Sequence, residues 1–170
     1  SAISSVRGTD FRFGMVGEQE DSTSSEVLKG LVQVSANNRD VNISAGFGSV
    51  TVLGSAPSKP VALLPPPRFF RTPTLYERLP LVILLNSLAG AQSYRAQIAM
   101  DQTFQNLRVD FVTAKLPFRE GNLPDGEYWL RVRGIDQSGI EGRDAVMSFE
   151  INARPEAPFI LAPLPGGVLD

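Results

Sequence analysis

The chain contains no histidine and no cysteine. Without histidine it lacks the side chain that most often serves as general acid or base near neutral pH. Without cysteine it has no thiol nucleophile and no disulfide, and both common zinc ligands are missing. A serine–lysine pair or a carboxylate pair remains available for catalysis, but neither occurs in a recognisable motif. The chain therefore reads as non-enzymatic, with no cofactor and no metal. Lysine is scarce, 3 residues against 13 arginines. Long apolar runs are also missing: the longest stretch, 79–85, is strand-sized and interrupted by Pro80. No N-terminal charged-then-apolar segment occurs. Membrane contact is expected only through parts outside this sequence. The net charge is −2, and no segment is basic enough to suggest nucleic acid.

What is present points to an all-β fold. Hydrophobic residues make up 42% of the chain, alongside 13 prolines and 15 glycines, a composition suited to short strands and turns. The clearest stretch is 123–142. It opens with a Leu-Pro-Asp-Gly turn signal. Strict alternation follows, with Tyr128, Leu130 and Val132 on one face and Trp129, Arg131 and Arg133 on the other. Ala145, Met147, Phe149 and Ile151 alternate again, which predicts two neighbouring strands joined by a turn-rich loop. The Leu-x-x-Gly-x-Tyr pattern resembles the tyrosine corner of immunoglobulin-like and fibronectin type III sandwiches.

Earlier in the chain, Phe11, Phe13 and Met15 alternate on one face of a predicted strand. Residues 18–25 are polar and read as a solvated hairpin loop in preference to a cation site. Residues 26–34 read as short strands around a tight turn or bulge at Lys29–Gly30. The segments VRGTDF, EVLKGLVQVS and VNISAGFG are together similar to the core signature of the FecR family of bacterial envelope regulators. The matching positions are Arg7, Gly8, Thr9, Phe11, Gly30 and Gly46. That resemblance implies short stacked strands, like a small solenoid, with only the second half of such a domain present.

Four segments follow: a partial FecR-like β unit (1–56), a Pro-rich boundary or edge strand (57–67), a fibronectin III-like sandwich (68–155) and the start of a further module or tail (156–170). Val61, Leu63 and Leu64 favour an edge strand along the following sandwich over a free spacer. Residues 101–104 suit a cap on a short helical turn. Residues 59–67 are echoed 98 positions later at 157–165, the size of one sandwich module.

The candidate binding face carries Trp129, Arg131 and Arg133, with Arg95 and Gln97 from the neighbouring strand. An arginine stacked on Trp129 would form a cation–π pair. Such a face suits a protein or saccharide partner, cover by the neighbouring unit, or plain exposure. Asp125, Asp136, Glu141 and Asp144 suit turn roles better than calcium binding, since no Asp-x-Asp-x-Asp spacing occurs. The resemblance implies a periplasmic, envelope-associated binding, scaffold or signal-sensing module acting through protein or cell-wall contacts. The alternatives are a FecR-type anti-sigma regulator of iron-uptake signalling and the accessory domain of a carbohydrate-active enzyme. Strand-mediated self-association is a further expectation.

Overall fold

The computed structural model describes residues 3–5, 8–16 and 21–154, and the description below is confined to them. They are all-β and contain no helix. Arg7, the acidic residues at 18 and 20, and the predicted module start at 156–170 lie outside the described residues.

The first unit has two antiparallel sheets. One has the order β1 (Ile3–Ser5), β4 (Leu31–Ala36), β5 (Arg39–Ser44). The other has the order β2 (Asp10–Met15), β3 (Ser22–Lys29), β6 (Phe47–Val52), β7 (Val61–Ala62). Between them lies a small core of Val27, Val32, Val34 and Ile43, flanked by Phe11 and Val41. Phe11 reaches this core, whereas Phe13 and Met15 on the same face are exposed, because the sheet continues past the core.

Three sequence expectations need correction. Residues 22–25 are strand, not loop, and Ser24 and Ser25 are buried. The turn at Gly30 lies between two short strands, β3 and β4, as expected, and because these belong to different sheets the chain changes layer there. The Gly30 φ of +84° suits glycine, and an added Cβ would fall 2.4 Å from a Thr9 methyl. The Pro-rich boundary does supply an edge strand, β7, but on the preceding sheet rather than the following unit. Val61 is exposed there while Leu63 is buried. At 101–104 the chain forms a turn without a helix. The Asp101 carboxylate accepts hydrogen bonds from the Thr103 hydroxyl and the N–H groups of Gln105 and Asn106, which hold its pKa down to about 2.

The second unit also has two layers. The larger sheet has the order β11 (Leu107–Thr113), β10 (Ser93–Ala99), β13 (Gly126–Ile135), β14 (Ala145–Ile151), β8 (Leu75–Tyr76). The smaller pairs β9 (Leu81–Ile83) with β12 (Phe118–Glu120). Period-2 alternation sends Tyr94, Ala96 and Ile98, then Tyr128, Leu130 and Val132, into one core with Leu81, Ile83 and Phe118. The Tyr128 ring stacks on Phe149 at 5.6 Å, and Tyr76 meets Phe149 edge-on at 5.7 Å. The buried Tyr128 hydroxyl donates to the carbonyl of Pro124 at 3.0 Å, closing the turn that precedes β13.

Tyr128→Phe keeps the ring packing and strands that carbonyl. It should cost about 1 kcal/mol, read as a lower denaturant midpoint at unchanged slope. An unchanged midpoint would show that the hydroxyl bond contributes nothing to stability.

Candidate functional site

The sheet β2–β3–β6 is covered on both faces. Strand alternation puts Phe11 and Val27, a cross-strand pair, toward the first core. It puts the next pair, Arg12 and Glu26, on the opposite face, where the second unit packs. That packing is made by the loop between β13 and β14, residues 136–144. The loop is held to its own sheet by the Gly142 N–H donating to the Gly134 carbonyl at 2.8 Å. Asp136 stabilises the bend, with one carboxylate oxygen accepting from the N–H groups of Ser138 and Ile140. At the loop's centre Ile140 is 2% exposed and sits over Gly48, where an added Cβ would fall 2.8 Å from its methyl. Gly142 lies as close to the backbone of Leu64. The two units meet at distances that a side chain at either glycine would prevent.

Around this apolar contact runs a ring of charge. β10 and β13 place Arg95 directly opposite Arg133, a like-charge pair that repels unless a counter-charge intervenes. Glu141 supplies it. Its Oε1 accepts from Arg95 at 2.9 Å and its Oε2 from Arg133 at 2.9 Å. Arg133 also donates to Gln97 Oε1 at 3.0 Å, and its Nε lies 2.8 Å from Asp144 Oδ1. Arg95 grips both oxygens of Asp110 at 2.8 Å, and Gln97 adds a third bond to that carboxylate. Arg131 donates to Gln97 Oε1 at 2.6 Å.

From the first unit, Arg12 donates to the carbonyls of Glu141 and Gly142 and lies 3.4 Å from Asp144. Glu26 Oε1 accepts the Glu141 N–H at 3.2 Å. The Arg143 N–H donates to the Leu64 carbonyl at 2.9 Å and ties down the linking segment. The seam thus holds four guanidinium groups (Arg12, Arg95, Arg131, Arg133) and four carboxylates (Glu26, Asp110, Glu141, Asp144).

Burial shifts its titration. Glu26, 2% exposed, has its pKa raised above the ordinary 4.5, chiefly by desolvation. Arg12 and Arg131 are lowered, in each case first by burial and then by the charge of Arg133. Asp110 is held down, first by its hydrogen bonds from Arg95.

The face predicted from sequence therefore divides. Arg133 and Gln97 are buried within the seam, and Arg95 and Arg131 line its rim. Trp129 is half-buried further along β13, opposite Ala99 and Ser148. Among the described residues no arginine stacks on it; Arg131 lies over the Phe104 ring instead, 4.3 Å from its centre. Of the four carboxylates weighed for calcium, Glu141 and Asp144 are seam members. Asp136 caps its loop, and Asp125 accepts the N–H groups of Ala153 and Arg154. No group of three or more acidic residues is arranged to hold a metal ion among the described residues. Sequence reasoning missed Glu26, Arg12 and Asp110. The one signal available was an acidic residue placed directly before the apolar Val27 in a strand. No family model matches the chain, and a search of the curated proteins finds no match.

Two predictions follow from seam burial. Arg133→Met removes a guanidinium that is 5% exposed and leaves buried acceptors behind, so it should cost about 3 kcal/mol. Arg95→Met, on a guanidinium 35% exposed, should cost about 1 kcal/mol or less. Equal losses in denaturant midpoint would contradict this ordering. Glu26→Gln tests the desolvation. For an acid whose folded pKa is raised, the associated stability is fully present below the unfolded value and is lost as pH rises through the folded value. The variant escapes that loss, so its stability should gain on the native chain between pH 4 and pH 7, roughly the span from the unfolded Glu value upward. A difference that stays constant with pH, or grows in favour of Glu26, would rule it out.

Proposed function

We propose that the chain is a non-catalytic binding or scaffold module of the bacterial envelope, a FecR-like short-strand unit joined to a fibronectin III-like sandwich and acting through cell-wall or protein contacts. The observation that carries this reading is the seam. Its charged side chains are spent on one another and on the backbone across the boundary, so they join two small β units into one binding body rather than attack a substrate. Three features support the family resemblance. Phe11, in the strand that follows Gly8 and Thr9, packs on the first core. Gly30 and Gly46 take positive φ at strand ends, as a glycine-marked strand signature requires. The Tyr128 hydroxyl reaches back to the carbonyl four residues upstream, the contact expected of a tyrosine corner.

The test has two readouts. An epitope-tagged full-length gene product should fractionate with the periplasm or envelope. The purified chain should pellet with isolated peptidoglycan sacculi or cross-link to an envelope protein. A cytosolic product would overturn the envelope assignment. Release of soluble fragments from the sacculi would replace binding with catalysis.

A further inference from the structure

A groove of about 560 Å³ runs along the open side of the second unit, meeting the seam at Asp110. It lies between β11 and β12, the free edge strands of the two layers. Its lower wall is apolar: Leu123 is buried, and Val109 and Phe111 are half-buried, with Phe111 braced edge-on against Phe118 at 5.5 Å.

Four charged residues line this groove, and they are not equivalent. Asp110 is saturated by Arg95 and Gln97. Glu120 uses Oε1 to accept the Asn122 N–H at 2.7 Å, and its Oε2 accepts nothing among the described residues. The Arg119 guanidinium makes no hydrogen bond or ion pair there. Arg108 rests its Nε and Nη2 on the Met100 sulfur, 3.0 and 2.9 Å away, one of the weakest acceptors a protein offers. Two donor forks, one from each layer, therefore line the groove without being paired to a carboxylate among the described residues.

The backbone at Arg108 adds a second observation. The β10–β11 register passes from Ile98↔Val109 to Ala99↔Leu107 and leaves Arg108 as the extra residue of a bulge. A bulge re-aims a side chain and blunts an edge against strand addition. The occupant is then held by side chains rather than by a main-chain ladder, which disfavours an extended peptide.

We propose that this groove binds a carboxylate-bearing saccharide. Arg108 and Arg119 take the sugar carboxylates in forked, charge-assisted hydrogen bonds. Glu120 Oε2 and the Asn122 side chain meet ring hydroxyls, and Val109, Phe111 and Leu123 support an apolar ring face. An inorganic anion has no use for the apolar wall or for an acceptor such as Glu120. The preference for a wall-type glycan rests on the envelope reading, but the site itself rests on the groove.

Isothermal titration of the whole chain tests this with three probes: trigalacturonate, neutral cellotriose and inorganic phosphate. Trigalacturonate should bind, and both other probes should bind at least about tenfold more weakly. Arg108→Gln and Arg119→Gln should each weaken trigalacturonate about tenfold, with circular dichroism unchanged. Arg39→Gln, on the first unit, should have no effect. Phosphate or cellotriose binding as well as trigalacturonate overturns the proposal, as does uronate binding that survives both substitutions, or no uronate binding at all. Fractionation of the gene product is a separate measurement, so a cytosolic location would remove the envelope reading and leave the groove result standing.

Discussion

Everything in the arrangement of the two units depends on one constraint: Arg95 and Arg133 face each other across a strand pair and need a carboxylate between them. Glu141 is that carboxylate, and it arrives on a loop rather than on a strand. Once its two oxygens are committed, the loop backbone is fixed. Its carbonyls at 141 and 142 then present acceptors to Arg12, and its N–H at 141 presents a donor to Glu26. The first unit docks onto groups whose positions were set by an electrostatic problem in the second. Buried ion pairs rarely add much net stability, because desolvation consumes most of the Coulomb gain. Directional bonds to fixed partners do select one orientation among many apolar contacts, and the seam combines both.

The same docking explains why β3 has a composition unlike an ordinary strand. Ser24, Ser25, Glu26 and Val27 are buried in succession, although a strand with one solvated face would expose every second residue. Only Val27 belongs to the first core. Glu26 belongs to a contact with a loop 115 residues away. Small neighbours at Ser24 and Gly48 keep that face shallow enough for Ile140 to enter.

This accounts for what the sequence could and could not disclose. Alternation is a local property, so the faces of β10, β13 and β14 were legible from Tyr94, Tyr128 and Phe149 and their neighbours. The Tyr128 hydroxyl bond spans four residues and left a local pattern. Whether Arg133 faces water is not local: it depends on the first unit lying over one end of β13 and leaving Trp129 near the other. Residues 22–25 misled for the same reason, since serines facing a neighbouring unit look the same in sequence as serines facing solvent. At the Pro-rich boundary, apolar residues announced contact but not the partner, and β7 pairs backward onto β6 rather than forward.

Arginine fates across the second unit follow from carboxylate supply rather than from exposure. Arg95 and Arg108 sit on adjacent strands of one sheet, both near the surface. Arg95 reaches Asp110 and Glu141 and is spent. Arg108, displaced by a bulge, reaches only a thioether. A guanidinium stays charged at any physiological pH, so it must find a counter-charge, water or a ligand. In the seam the protein provides the counter-charge and gains a fixed geometry. On the open side Arg108 and Arg119 line the groove beside Val109, Phe111 and Leu123, and among the described residues neither side chain is paired with a carboxylate.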